Sequence, residues 1–400
     1  MAAQRQASSA SQTPHISPAE LSYLYTSLSL PNAPIRPDGR SPTQFRPLTA
    51  ETDVLPGTNG SARIGFADGT QAIVGVKAEV EKTASATDVR HLSEQHDEYG
   101  AGDGEQGEGD NSKAGQGSWV QMSIEIPGFR DDDALPVFLS EMMREPLVGS
   151  VADESGMEGG LKGRLVINKR WHWRLFIDVC LFLFKEIELG QVVLISFVMQ
   201  VLLLSQPLSY PLPLLSLTTH LALLSTKLPK LKSQGEEDPF FDDDWDVAEY
   251  LYPRSRSARG VSQVRPPVTL LVISAGENII FDPNREEIAV ADAVLAISIT
   301  RDSDGDGLKL LSIRTVDPPS RLTQPGVPNS DNVATLGSTA AAEEAEIVNP
   351  STGEEEVSGV WRPRRGGVKR STIAQMVKTV LKKGGVGEEV LEGLEGVEVG

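Results

Sequence analysis

One cysteine, Cys180, stands in 400 residues. A disulfide framework is therefore excluded, and cysteine usage of this kind suits an intracellular protein. Basic residues are also short: 37 Lys and Arg against 56 Asp and Glu leave a net charge of -19. That balance excludes a nucleic-acid footprint spread over the whole surface, so any RNA contact must come from a local basic patch. The opening MAAQRQASSASQTPHIS lacks the apolar stretch of a secretory signal, and residues 1–16 read as a disordered tail. Apolar content is ordinary, which leaves material for one large domain or two medium ones.

Periodicity supplies most of the fold reading. Ser17-Pro18-Ala19-Glu20 has the form of a capping box ahead of a short helix reaching about Leu30, with Pro31 and Pro34 ending it. Between Glu51 and Val80, apolar residues alternate at Ala62, Ile64 and Phe66, then at Ala72, Val74, Val76, Ala78 and Val80. Asp68-Gly69 lies between the two runs, the strongest short-range hairpin signal. A strand follows at Trp119 to Ile126, a helix around Leu135 to Leu147, and an apolar strand at Leu175 to Val179. Leu212 to Ser225 reads as a buried helix, Val268 to Ser274 and Ala293 to Thr300 as strands, and Leu308 to Ile313 as a partner of the latter across DSDGDG. Ser371 to Lys383 is a last amphipathic helix, with Ile373, Met376, Val377 and Val380 inward. Thr83 to Ser118 reads as an acidic, Gly-rich surface loop and Ser320 to Gly359 as a linker or insertion. The order of elements predicts an α+β fold, with helices packed on mixed sheets.

The spacing of RPDGR (Arg36 to Arg40), Thr52-Asp53, Gly60-Ser61-Ala62-Arg63 and Gly69-Thr70 resembles the opening of the RNase PH family. The resemblance implies two βαβα-type halves, residues 17–233 and 234–319, followed by a linker at 320–360 and a basic segment with a helix at 361–400. It also implies phosphorolytic RNA chemistry, which needs an arginine and a loop of amides around phosphate, and carboxylates for a metal or the leaving proton. Active relatives carry the arginine five residues before a strand aspartate. Here that aspartate is Asp178, and Trp173 holds the arginine position. An indole has one donor and no charge. Arg174 is adjacent, but a strand turns it to the opposite face. SQPLSYPLP (Ser205 to Pro213) stands in place of a Gly-Gly-Thr-type loop. Of two aspartates six residues apart, Asp282 corresponds to the second, while Gly276 occupies the place of the first. A turn-capping role is open to Asp282.

These losses fit a ring-building paralogue of the RNA exosome, an inert partner of a related sister subunit. The resemblance then implies ring and cap subunits and RNA as partners, no cofactor, no small-molecule substrate and no membrane, and work in nucleus, nucleolus and cytoplasm. Lys162, Arg164, Lys169, Arg170 and Arg174 are the candidate RNA contacts, each of which can also be a solvated charge balancing an acidic chain. An active exoribonuclease with a composite site is the alternative, and a membrane-anchored protein a second.

Other signals read as structural. Asp302, Asp304, Asp306 and Gly307 mimic half of a calcium loop, but Ile313 stands where its bidentate glutamate belongs. His91 and His96 lack cysteine partners for zinc, and His220 fits a core histidine. DPFFDDDWD can be a solvated loop or a dock for a basic partner, and WRPRRGGVKR (Trp361 to Arg370) a linker, an RNA contact or an import signal. Cys180 to Gln200 is anomalous: it is large and apolar, and its removal joins Asp178-Val179 to Leu202-Leu203-Leu204 as one strand. A translated intron accounts for this stretch, the rival being a short membrane segment from Leu189 to Leu204. An insert here is expected to loop out of the sheet.

Overall fold

The computed structural model describes residues 16–31, 33–83, 115–130, 132–149, 161–183, 210–233, 235, 237–253, 265–301, 307–316, 347–348, 355–356 and 368–398. The chain gathers into two compact units, each built from separate segments. One comprises residues 1–45, 272–295 and 315–376, the other residues 46–271, 296–314 and 377–400.

The larger unit is organised by a five-stranded sheet. Its strands are β1 (Leu48–Thr52), β2 (Gly60–Phe66), β3 (Thr70–Lys82), β4 (Val120–Glu125) and β5 (Trp171–Leu183), in the order β1-β2-β3-β5-β4. All pairs are antiparallel except β4 with β5. The Asp68-Gly69 hairpin forms as its sequence demands. Gly69 takes φ +85°, its amide donates to the Phe66 carbonyl, and Asp68 Oδ1 accepts from the Thr70 amide at 2.8 Å. Ala62, Ile64, Ala72, Val74 and Val76 are wholly buried on one face, while Ala78 and Val80, at the far end of β3, are only half-buried.

Helix α2 (Ala134–Val148) packs on β4, α3 (Leu161–Arg164) is a single turn, and α4 (Leu212–Ser225) packs on β2 and β3. Every residue of α4 is buried. Its threonine hydroxyls are satisfied inside the helix: Thr218 donates to the Leu214 carbonyl at 2.7 Å and Thr219 to that of Leu215 at 2.8 Å. Close approach at the end of α4 explains Gly60, where a Cβ would stand 2.5 Å from the Thr226 Cα. Short strands β6 (Lys227–Leu228) and β7 (Glu249–Tyr250) pair beyond it.

Strand β5 runs further than its sequence suggests. Cys180–Leu183 continue the ladder opposite Thr70–Ile73, so the first four residues of the anomalous stretch do not loop out. The alternation Val179, Cys180, Leu181 carries on the pleat, with Val179 and Leu181 in the core. Residues 184–209, which hold the rest of that stretch and Ser205 to Ser209 of the SQPLSYPLP run, lie outside the described residues. So do the expected acidic loop over 84–114, His91 and His96, the DSDGD run and most of the basic run.

A four-stranded sheet takes the order β11-β10-β8-β9, from β8 (Val268–Ala275), β9 (Asn278–Phe281), β10 (Ala293–Arg301) and β11 (Leu308–Val316). Strands β8, β10 and β11 pass from one unit into the other along the chain. In the smaller unit stand α1 (Pro18–Leu28) and α5 (Arg285–Val290), each with a formed capping box. Two-residue strands β12 (Ile347–Val348) and β13 (Glu355–Glu356) pair within the stretch expected to be a linker. Helix α6 (Arg370–Val380) buries Met376 and Val380, and a further helix, α7 (Val386–Glu395), follows it. Mixed sheets with helices on them make this the expected α+β class.

Candidate functional site

Strand β5 carries the candidate residues of the larger unit. Its odd-numbered side chains from Trp173 to Leu181 are buried, and Arg174, Phe176, Asp178 and Cys180 occupy the other face. Trp173, the residue expected at the arginine position, is 8% exposed, and its ring lies 4.9 Å from that of Phe241. The Trp173 amide donates to the Leu165 carbonyl at 2.8 Å. The position is thus filled with packed apolar surface. Across the sheet, Arg174 donates to Glu81 on β3 at 3.0 Å and to Gln121 on β4 at 3.4 Å, with its guanidinium 5.3 Å from the Phe176 ring centre. Asp178 is exposed on that face. Cys180 Sγ lies 3.5 Å from Glu125, and burial first, then that carboxylate, pushes the thiol up to about 12, so it is no thiolate at neutral pH.

The remaining basic candidates divide by environment. Arg164 donates to the Leu251 carbonyl at 2.8 Å and stands 5.1 Å over the Tyr252 ring. Burial lowers its pKa, and the arrangement is that of a prop under Tyr252. Lys162, on the same short turn, is half-buried. Lys169 and Arg170 are exposed on the turn leading into β5. That turn also holds an acidic segment: Asn168 Nδ2 donates to the Glu237 carbonyl at 3.0 Å and Trp171 Nε1 to Asp238 Oδ1 at 3.2 Å. Arg164 and Arg174 make side-chain contacts within the fold, and the side chains of Lys169 and Arg170 are exposed.

The smaller unit has a buried acidic cluster of its own. Gly276 turns β8 into β9 with φ +61°, and its amide donates to Asp292 Oδ2 at 2.7 Å. A Cβ there would meet that of Ser29 at 3.2 Å. Asp282 is wholly buried and adopts φ +46°, a conformation that costs a non-glycine residue roughly 1–3 kcal/mol. Two arginines hold it. Its carboxylate accepts from Arg40 Nη1 at 2.7 Å, and its carbonyl accepts from Arg36 Nη2 at 2.9 Å and Arg40 Nη2 at 3.0 Å. Arg36 in turn makes a two-pronged pair with Glu287 at 2.7 and 2.8 Å, both side chains fully buried. Glu287 also accepts from the Asn284 amide, closing the α5 capping box. The N-cap of α5 is Asn284. Arg36 and Arg40 escaped the sequence reading as partners of Asp282, and Glu287 as the partner of Arg36, although RPDGR and NREE were both visible. Among the described residues no group of three or more His, Cys, Asp or Glu could hold a metal ion.

No family model matches the chain. It is 30% identical over 290 residues to the exosome complex component RRP42 of Saccharomyces cerevisiae, covering 71% of this chain and 81% of that protein. The chain belongs to the RRP42 family of RNase PH-like proteins. The exosome complex component rrp42 of Schizosaccharomyces pombe is also 30% identical, over 70% of this chain and 77% of its own length. Similar solved structures include an Archaeoglobus fulgidus exosome with RNA bound to the active site, with TM-score 0.43, 21% identity, and coverage of 74% of this chain and 86% of that one. An archaeal exosome core follows at TM-score 0.40 and 18% identity, covering 74% and 84%. RRP42 family membership accounts for the RNase PH-like opening motif and for the α+β arrangement of the sheets.

Proposed function

We propose that the chain is a non-catalytic, RNase PH-like ring subunit of the RNA exosome, with a structural role in 3′-to-5′ RNA degradation and ribosomal RNA processing. The RRP42 relatives are exosome components by name. The observation that carries the inert reading is Trp173, whose buried ring fills the arginine position and packs on Phe241. Asp282 adds support. Its carboxylate is enclosed by Arg40, and no second aspartate stands at Gly276. A carboxylate so neutralised is unavailable as a base or metal ligand without breaking a buried ion pair. The chain's residues imply no cofactor in this reading.

The partners in this reading are a sister RNase PH-like subunit of the ribosomal RNA-processing protein 41 type, further ring and cap subunits, and RNA. Residues 17–233 and 234–319 form its two halves. Lys169 and Arg170 are the foremost RNA contacts, with Lys162, Arg164 and Arg174 contributing field at most. The compartments are those of the complex: nucleus, nucleolus and cytoplasm. Native mass spectrometry of the chain mixed with the sister subunit tests the assembly. A stable one-to-one pair that joins the remaining subunits into a ring is expected. A chain that stays alone beside an otherwise complete ring contradicts the proposal. Among the described residues no helix is long and apolar enough to cross a membrane.

A further inference from the structure

The segment after α4 is built in a way that a solvated acidic loop is not. Residues 237–249 contain seven carboxylates and no basic residue: Glu237, Asp238, Asp242, Asp243, Asp244, Asp246 and Glu249. Interleaved with them are large apolar side chains held out in water, with Phe240 62% and Trp245 48% exposed. Leu231 and Val247 are exposed beside them in sequence. A mobile loop could hide such side chains, but here the backbone is fastened. The amides of Lys232 and Ser233 donate to the Phe240 carbonyl, the Phe240 amide donates to Ser233 Oγ, and the Asp242 amide donates to the Lys230 carbonyl. Asp242 and Asp244 each accept from the amide two residues on. From the other side, Asn168, Trp171 and Trp173 grip Glu237, Asp238 and Phe241. Phe241 is the inward aromatic, and Phe240 is left pointing away.

We propose that residues 237–247, with Leu231 beside them and Asp242 paired to Lys232 at 3.0 Å, form a preformed docking surface for a basic, extended segment of a partner protein, one that alternates Lys or Arg with apolar side chains. Charge complementarity selects that occupant. The carboxylates around Phe240 and Trp245 repel RNA and acidic peptides and attract cations, while the two rings offer apolar contact and faces for guanidinium stacking. Rigidity lowers the ordering cost of binding. On this view Trp173 has exchanged the gripping of phosphate for the anchoring of a docking loop. The inference stands independently of ring membership, since it needs only the described geometry of this segment.

The test uses the full chain and three fluorescein-labelled probes in anisotropy titrations. One is a twelve-residue peptide alternating Arg and Leu, the second its Gln-for-Arg counterpart, and the third an oligouridine. The Arg peptide is expected to bind, more weakly as salt rises, and the Gln peptide not; oligouridine held at Lys169 and Arg170 is expected to be indifferent to changes in this surface. Phe240→Ser with Trp245→Ser keeps every charge and should weaken the Arg peptide at least about ten-fold, a single well-packed anchor being enough for that. Phe240→Tyr with Trp245→Phe should retain binding. Glu51→Gln with Glu389→Gln, on β1 and α7, should leave it unchanged. Equal binding by the serine variant overturns the proposal. So does equal weakening by the Glu51 and Glu389 changes, which marks diffuse charge attraction. Loss of oligouridine binding in the serine variant, with the peptide unaffected, assigns the surface to RNA and overturns it too.

Discussion

Replacing Arg36 by Met removes one partner from a doubly buried ion pair and leaves the Glu287 carboxylate enclosed with one of its charge partners gone. Uncompensated buried charge of this kind costs about 3–5 kcal/mol. The same change deletes the hydrogen bonds to three backbone carbonyls, those of Ser41, Phe281 and Asp282, which moves the expectation to the upper part of that range. Arg36→Met combined with Glu287→Gln removes the charge while keeping an oxygen for the Asn284 amide, so the α5 cap survives. The double variant should recover roughly half of the loss, the remainder being the orphaned carbonyls and imperfect packing. Urea unfolding followed by the chain's tryptophans, with the wild type and the three variants in one cycle, reads the coupling. A coupling of about 1.5 kcal/mol or more is expected. If Arg36→Met costs under about 1 kcal/mol, or the double variant is simply the sum of the singles, the pair is not buried as described.

Gly60→Ala places a methyl 2.5 Å from the Thr226 Cα and should cost about 1–3 kcal/mol, measured as a lowered urea midpoint. Trp173→Arg restores the family's arginine but buries a charge against Phe241. It should destabilise the chain by about 3 kcal/mol or more and confer no phosphate-dependent RNA cleavage. His220 is wholly buried with Nδ1 donating to the Pro266 carbonyl, and desolvation pushes its pKa down to about 4. Its unfolded pKa is near 6.5, so the unfolded chain binds the extra proton between those values, and stability falls as pH drops from about 6.5 toward 4. In His220→Phe that part of the acid limb, worth about 3 kcal/mol, should flatten in urea titrations run across the window.

Local chemistry was legible in the sequence. The Asp68-Gly69 turn, the Ser17–Glu20 capping box and the alternation along β2 and β3 each depend on near neighbours, and each formed as read. Helix α7 was missed because GGVGEEVLEGLE looks like a loop. Its Gly387 is there for contact, since a Cβ would come 2.7 Å from the Val380 carbonyl. At the site, the loss at Trp173 was readable from spacing, but its partner Phe241 was not, because a strand and a loop far apart in sequence meet there. Arg36 and Glu287 are 251 residues apart, and no periodicity announces such a pair. For Cys180 to Leu183 the expectation of leaving the sheet failed, because the pleat tolerates a residue run that keeps the alternation.

The most direct test is release of nucleoside diphosphate from a 3′-labelled RNA in the presence of inorganic phosphate, by the purified chain alone and paired with its sister subunit. The account predicts none from the chain alone. In the pair it predicts a rate that Asp282→Asn leaves unchanged, once folding of the variant is verified. Phosphate-dependent release that disappears with Asp282→Asn in a folded pair would contradict it.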